Sequence, residues 1–454
     1  QFLLGATAGT LLASLGTQAH STQAPSYTLL DVQRGQDRFQ IDFSTTEGYQ
    51  TAAWLLRDLR ANRVGVPNVE MLQLAAWASC AGAARASSSP VQIGVDAEFG
   101  LKNSTSAQAI EIGLRIAISE VNASGGVMGG RPLELVVRDN RSMPARAIAH
   151  LNAFAAMPDL VAVFGGKFSP VMMDVVPIAH ELRLPLMAVW SSADPIVDHG
   201  RHPNFVFRLA LQDSLAMPKL LKTALLRGFG QVGLLLANTG WGRSNLAAAE
   251  RHLKSAQRPR ITGVAWHNWG EKSLLARYMS LSESGAKAIV VVGNDDDVAL
   301  LVREMATLPE AQRLPLLCHQ GITGGKFTTL AGPALQQVDL SVLQTFSFFS
   351  AESERRDRFM KSAAKVAGIQ SIEQLEAPTG TAHAYDLLHL LAIAIHRAGS
   401  ADRTAVRDAL EHLPTHRGLI KTYQPAFTPE RHEALGEQDL LMARYRADGV
   451  LVPA

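Results

Sequence analysis

A chain of 454 residues that is 47% hydrophobic is long enough for two or three domains with proper cores. Its 43 basic and 41 acidic side chains leave a net charge of +2, which argues against nucleic acid or an acidic polymer as partner. The two cysteines, Cys80 and Cys318, cannot build a disulfide framework or a zinc cluster, leave the redox compartment undecided, and give no reason to expect a metal or cofactor.

The chain opens on "QFLLGATAGTLLASLGTQAHS", an apolar, small-residue run followed by polar residues. This reads as the h-region and cleavage region of an export signal over 1–25, with an uncleaved anchor as the alternative. It is too short for a comfortable membrane span, and "QFLLGA" resembles the segment just after the paired arginines of a twin-arginine signal. Residues 26–86 read as a small hairpin with alternation in "DRFQIDF" and a helix from Thr51 to about Ala61, a segment of marginal size for independent folding. From Met71, "MLQLAAWASCAGAARA" offers a second signal-like stretch with an Ala-Arg-Ala cleavage site. Cys80 stands as in a lipoprotein box, but with Trp at the usual aliphatic position, which favours export over lipid attachment. Small residues and serines in "SCAGAARASSSPVQIGV" put the main boundary near Ser87.

From Val91 the pattern becomes regular. Strands at "VQIGV", "PLELVVRD", "LVAVFGG" and "LPLMAV" alternate with helices, the first carrying Ile110, Leu114, Ala117 and Val121 on one face before Gly125 and Gly126 stop it. The alternation restarts after "FVFRLALQDS" with strands at "QVGLLLA", "ITGVAWHN", "AIVVVG" and "LPLLC". Short continuous apolar strands alternating with amphipathic helices imply parallel sheets covered on both faces. The expected fold is therefore α/β, with two lobes in series. One lobe takes 87–211 and 345–420, and the other takes 212–344 and 421–454. The crossings between them close a cleft.

Two serine knuckles end successive strands of the first lobe, Ser169 in one and Ser191 with Ser192 in the other. In open parallel sheets, ligands sit beyond the carboxyl ends of the strands, near hydroxyls and free amides at helix N-termini. A serine before a helix is also a common N-cap, so each residue alone fits a purely structural role. Two on neighbouring strands point to a ligand.

The stretch "AIEIGLRIAISEVNASGGVMGGRPLELVVRDN", the knuckles, "FRLALQDS", "GWGRSNLAAA" and "HRGLIKTYQPAFTPERHEA" together resemble the type I periplasmic substrate-binding proteins of the leucine/isoleucine/valine-binding family. The resemblance runs from Val91 to the end. It implies a two-lobed receptor of an ABC importer, monomeric and periplasmic, that captures an amino acid or related carboxylate or amide by hinge closure. Its partners are then the solute and a membrane permease.

Carried over by position, the family's carboxylate-binding serine falls on Ser169 and its second-strand contacts on Trp190 and Ser192. The aspartate of the lobe crossing falls on Asp213, and the covering aromatic on Trp241. Three departures concern the solute: Trp190 replaces a small residue, Asp295 an aromatic, and Gln320 a glutamate that would hold an α-ammonium. An ordinary amino acid is then expected only if Asp213 or Asp295 substitutes. Lys167, Phe168 and Ser191 are weaker candidates.

Asp295, Asp296 and Asp297 are consecutive and cannot all face one ion, so no metal site is expected there. In "CHQG", Cys318 and His319 are neighbours at a strand end and point to opposite sides, which disfavours a thiol-imidazole pair. Residues Tyr27 to Trp77 resemble the opening of a zinc-peptidase-like cell-wall family (YcbK-like, DUF882) without its metal ligands, and read as a fused remnant without catalysis. The chain carries no HExxH, GxSxG elbow or P-loop. A binding protein is expected rather than an enzyme, the alternatives being a ligand sensor of the same fold and, behind it, an enzyme through the N-terminal zinc-peptidase-like segment.

Overall fold

The computed structural model describes residues 89–454 and the backbone of three N-terminal strands, β1 (Phe2–Leu4), β2 (Leu29–Arg34) and β3 (Asp37–Asp42). These three pair antiparallel in the order β1-β2-β3, with Val32 opposite Phe39, so the alternating "DRFQID" forms one arm of a hairpin. The rest of the signal-like run, the helix expected from Thr51, the stretch from Met71 with Cys80, and most of Tyr27 to Trp77 lie outside the described residues.

The first α/β lobe is built from β4 (Val91–Ala97), α1 (Ser106–Ala123), β5 (Leu133–Asp139), α2 (Pro144–Ala155), β6 (Leu160–Gly165), α3 (Ser169–Glu181), β7 (Leu186–Ala188) and β8 (Val206–Arg208). Its sheet runs β5-β4-β6-β7-β8, and β4, β6, β7 and β8 are parallel. Strand β6 is buried along its whole length, as a strand covered by helices on both faces must be. On α1, Ile110, Leu114 and Ala117 are fully buried.

The second lobe continues with α4 (Asp213–Leu226), β9 (Gln231–Ala237), α5 (Gly240–Ala256), β10 (Arg260–His267), α6 (Leu275–Glu283), β11 (Ala288–Val292), α7 (Asp295–Ala306), β12 (Leu316–Cys318), α8 (Phe327–Ala331) and β13 (Leu340–Gln344). Five parallel strands in the order β10-β9-β11-β12-β13 continue into two antiparallel ones, β16 (Leu441–Tyr445) and β17 (Leu451–Pro453). That antiparallel edge is absent from the sequence reading. Its signal was the polar turn "RADG" between two apolar runs.

Between β13 and β16 the chain supplies α9 (Ser353–Ala367), α10 (Pro378–Ala398), α11 (Arg403–Leu410) and a small hairpin, β14 (His416–Arg417) with β15 (Thr422–Tyr423). Helix α10 packs close to α1, because Gly113 there leaves no side chain against the Thr381 carbonyl, which a Cβ would approach to 2.3 Å. The Arg403 guanidinium anchors α11 to the first lobe by donating to the Leu160, Met157 and Ala155 carbonyls.

The segment around and after β15 bonds to elements of the first lobe and to α10. Buried Tyr423 donates to Asp386 of α10, and Glu433 receives the guanidinium of Arg208 on β8. Backbone bonds of 2.8 and 2.9 Å run from Arg208 to His432 and from Ala434 to Arg208. Fully buried Arg208 also donates to the Ser191 and Ala193 carbonyls, so its charge is matched on every side.

Candidate functional site

Loops from the carboxyl ends of the parallel strands in both lobes meet around a narrow cleft. From the first lobe, Lys167, Phe168 and Ser169 come after β6, and Trp190 and Ser192 after β7. The second lobe adds Trp241 from the start of α5, Trp269 after β10, Asn294 after β11, and His319, Gln320 and Gly321 after β12.

Ser169 is not an N-cap. It is the first residue of α3, whose capping position is Phe168, and it makes no side-chain cap bond. Its hydroxyl oxygen instead accepts from the amides of Ser192 and Ala193 at 3.2 and 3.3 Å. Both lone pairs are thereby taken, and what the group has left to offer is its proton. Ser191 turns away from the cleft and donates to the Gly166 carbonyl at 2.7 Å. Lys167 is held at its backbone by Glu98, which also accepts from Ser106 at 2.5 Å; burial pushes the Glu98 carboxyl up.

Trp190 lies against α10 at Gly380, where an added Cβ would come within 1.9 Å of the indole. Trp241 is likewise admitted by Gly321, where a Cβ would meet its ring at 2.6 Å. Both indoles are nearly fully buried, and neither ring nitrogen has a hydrogen-bond partner among the described residues. Trp241 presents its edge to His319 at 5.1 Å between centroids. Behind it, His319 Nε2 lies 3.2 Å from Asp213 at the head of α4. Gln320 donates weakly to the Trp190 carbonyl at 3.4 Å, and its side-chain oxygen has no partner among the described residues.

The two lobes touch around the cleft. Lys167 and Asp295 form a buried ion pair from one lobe to the other. Phe168 meets Trp269 edge-on at 5.3 Å. Along one rim, Thr105 and Lys326 exchange backbone bonds with Gly324 and Asn103, and Asn103 donates to Asp296. On another, Asp194 accepts from Arg251 at 2.7 Å while its own amide donates to Ser244. The cleft is therefore shut.

Seven candidates from the sequence line this cleft: Lys167, Phe168, Ser169, Trp190, Ser192, Trp241 and Gln320. Asp213, Asp295 and Ser191 do not; the first two stand behind the wall, held by His319 and Lys167. Trp269, Asn294, His319 and Gly321 were missed. For His319 a signal existed, since a polar residue after a fully apolar strand end resembles the serine knuckles. Cys318 points the other way into the core of the second lobe, and burial pushes its thiol up, far from a nucleophile. The three aspartates of α7 diverge: Asp295 to Lys167, Asp296 to Asn103, and Asp297 to the Gly270 amide. Among the described residues no acidic, histidine or cysteine cluster could hold a metal ion.

A family model described as periplasmic binding protein matches residues 90–449. A Leu/Ile/Val-binding protein homolog 2 of Brucella abortus (strain 2308) is 25% identical over 343 residues, covering 73% of this chain and 84% of that protein. A branched-chain amino acid transporter substrate-binding protein from Streptococcus pneumoniae, solved with isoleucine, superposes with a TM-score of 0.66 at 19% identity, over 80% of this chain and all of the other. A solute-binding protein of an ABC transporter from R. palustris, solved with 4-hydroxybenzoate, gives 0.69 at 16% identity, over 81% and 96% of the two chains. At such identities the two structures speak to the fold alone.

Proposed function

This chain belongs to the periplasmic binding protein family, and from that premise we propose that it is the capture subunit of an ABC importer, closing its lobes over a small carboxylate or amide. Members of this family bind solutes outside the cytoplasm and do not transform them. The single observation that carries the carboxylate reading is the Ser169 hydroxyl, whose oxygen is saturated by two amides and whose proton alone remains for a ligand oxygen. The relatives' names are compatible with both an aliphatic amino acid and an aromatic acid as solute. Closure is the functional motion: a ligand docked on one lobe gains its remaining contacts as the other arrives, and the permease recognises the shut form. Export through a twin-arginine signal is the route we favour.

We place the lobe boundaries at 87–211 and 345 onward for the first lobe and 212–344 for the second, with the last crossing moved from 420 to about Gly436. The ties of Tyr423 and Glu433 to the first lobe support that shift.

Thermal unfolding of the full chain with amino acids, amides, diacids and aromatic carboxylates tests the reading, paired with small-angle scattering to follow closure. A solute at about 100 times its Kd raises stability by roughly 2.7 kcal/mol. Stabilisation by a carboxylate with a smaller radius of gyration is expected; a full panel without a shift would remove the reading.

A further inference from the structure

The polar groups of the cleft are unbalanced in sign. Its wall contains one cation, Lys167, and no carboxylate. The two nearby acids are each engaged through one oxygen, and the other oxygen of each is buried without a partner among the described residues. Asp295 is paired through one oxygen with Lys167, and its other oxygen faces Gly325, away from the wall. Asp213 is fully buried behind His319 and bonded to it. The lining groups without protein partners are the Trp190 and Trp241 ring nitrogens, which donate, the Gln320 side-chain oxygen, which accepts, and His319 Nδ1; the Ser169 proton joins the donors.

An ammonium moved into a closed cleft needs an anion or several acceptors to offset its lost hydration. Here it would meet the neutral oxygen of Gln320 and, nearby, the like charge of Lys167. Lys167 reaches Asp295 by passing over Gly324, where a Cβ would lie 2.8 Å from its stem and ammonium. The protein thus places its own ammonium on the carboxylate that a ligand's ammonium would otherwise use.

We propose that the Lys167–Asp295 pair is a specificity device that makes the cleft select carboxylates lacking an α-ammonium, such as 2-oxo acids or aryl acids, over the corresponding amino acids. This rests on the capture reading above and narrows its solute class. Burial pushes the Asp295 carboxyl up overall, and the Lys167 charge works against that shift. Replacing the lysine by a hydrocarbon of similar length leaves a buried acid free to take an ammonium.

The test is equilibrium titration of the full chain with matched pairs: L-leucine against 4-methyl-2-oxopentanoate, and L-phenylalanine against phenylpyruvate. In each pair the carboxylate and side chain are shared and the α-substituent differs. We expect the oxo acid to bind at least about tenfold more tightly, and Lys167→Met to shift the ratio toward the amino acid by about tenfold or more. Wild-type protein that binds the amino acid as well as its oxo acid overturns this inference and leaves solute capture standing. If neither member of either pair binds, the carboxylate reading falls, and the inference with it. The wild-type comparison needs no variant, so a Lys167→Met chain that fails to fold does not shield the proposal. The double variant Lys167→Met/Asp295→Asn removes both charges together and, still offering no carboxylate to an ammonium, should keep the preference for the oxo acid; a shift toward the amino acid there as large as in Lys167→Met would overturn the role given to Asp295.

Discussion

The two walls of the cleft are finished to different degrees. In the first lobe, Ser169 accepts from two amides, Ser191 is spent on Gly166, and Lys167 is held through its amide by Glu98, while the Trp190 ring nitrogen is left without a partner among the described residues. In the second, Trp241, His319, Gln320 and Asp213 each keep a buried polar atom without a partner among the described residues. A saturated network holds its donors in place before a ligand arrives, whereas an unsatisfied one carries a desolvation cost that a ligand can relieve. In the capture reading proposed above, the more fully bonded first lobe is the docking surface and the second completes the site on closure.

The largest way to break this contrast is to deform the finished wall. Gly380→Val should force Trp190 out of its place and cost about 3 kcal/mol, the upper end for overpacking, with solute binding lost; calorimetric unfolding and titration read both. An unchanged melting temperature would mean that the indole has room to move.

Protonation attacks the same wall from behind. His383 on α10 bonds the Val189 carbonyl, next to Trp190, and Thr345 on a lobe crossing; burial pushes its imidazole down to about 4. The unfolded chain therefore takes up this proton first as pH falls, so the stability tied to the neutral ring is intact above about 6.5 and lost progressively toward pH 4. Roughly 3 kcal/mol is at stake across that window by the linkage relation. His383→Gln should flatten this part of the stability-versus-pH curve, measured by denaturant melts.

Ser169→Ala should lower affinity for a bound carboxylate by about 1–3 kcal/mol, the cost of an unmet ligand oxygen, while the unfolding midpoint changes little. Equal affinity would reduce Ser169 to a brace for the Ser192 turn. The smallest effect belongs to the mouth. Trp269 is 36% exposed and touches Phe168 by its edge. Trp269→Ala should cost about 0.5–1.5 kcal/mol, appearing as faster solute release in stopped-flow displacement.

Much of the molecule is legible ahead of its structure. Apolar runs such as "LVAVFG" between amphipathic helices need little more than local periodicity to specify covered parallel strands. Polar residues just past such strands single out Ser169, Ser191 and Ser192, of which Ser191 does not line the cleft, whereas Trp190 and Gln320 were reached only through the family resemblance. The antiparallel edge β16–β17 escaped because its strands are short and half-buried, with weak alternation. The bond between Arg208 and Glu433 escaped because it joins side chains 225 residues apart.

By itself, then, the sequence determined the α/β class, the two-lobed order and the strand ends at which a solute would sit, since each arises from interactions among residues a few positions apart. Tertiary structure alone decided which polar groups remain free in the cleft. Lys167 neutralises Asp295 across 128 residues, and His319 occupies Asp213 across 106. Such pairings depend on side chains far apart in the chain, in the first case from separate lobes, meeting where water is excluded, a condition that no local spacing encodes.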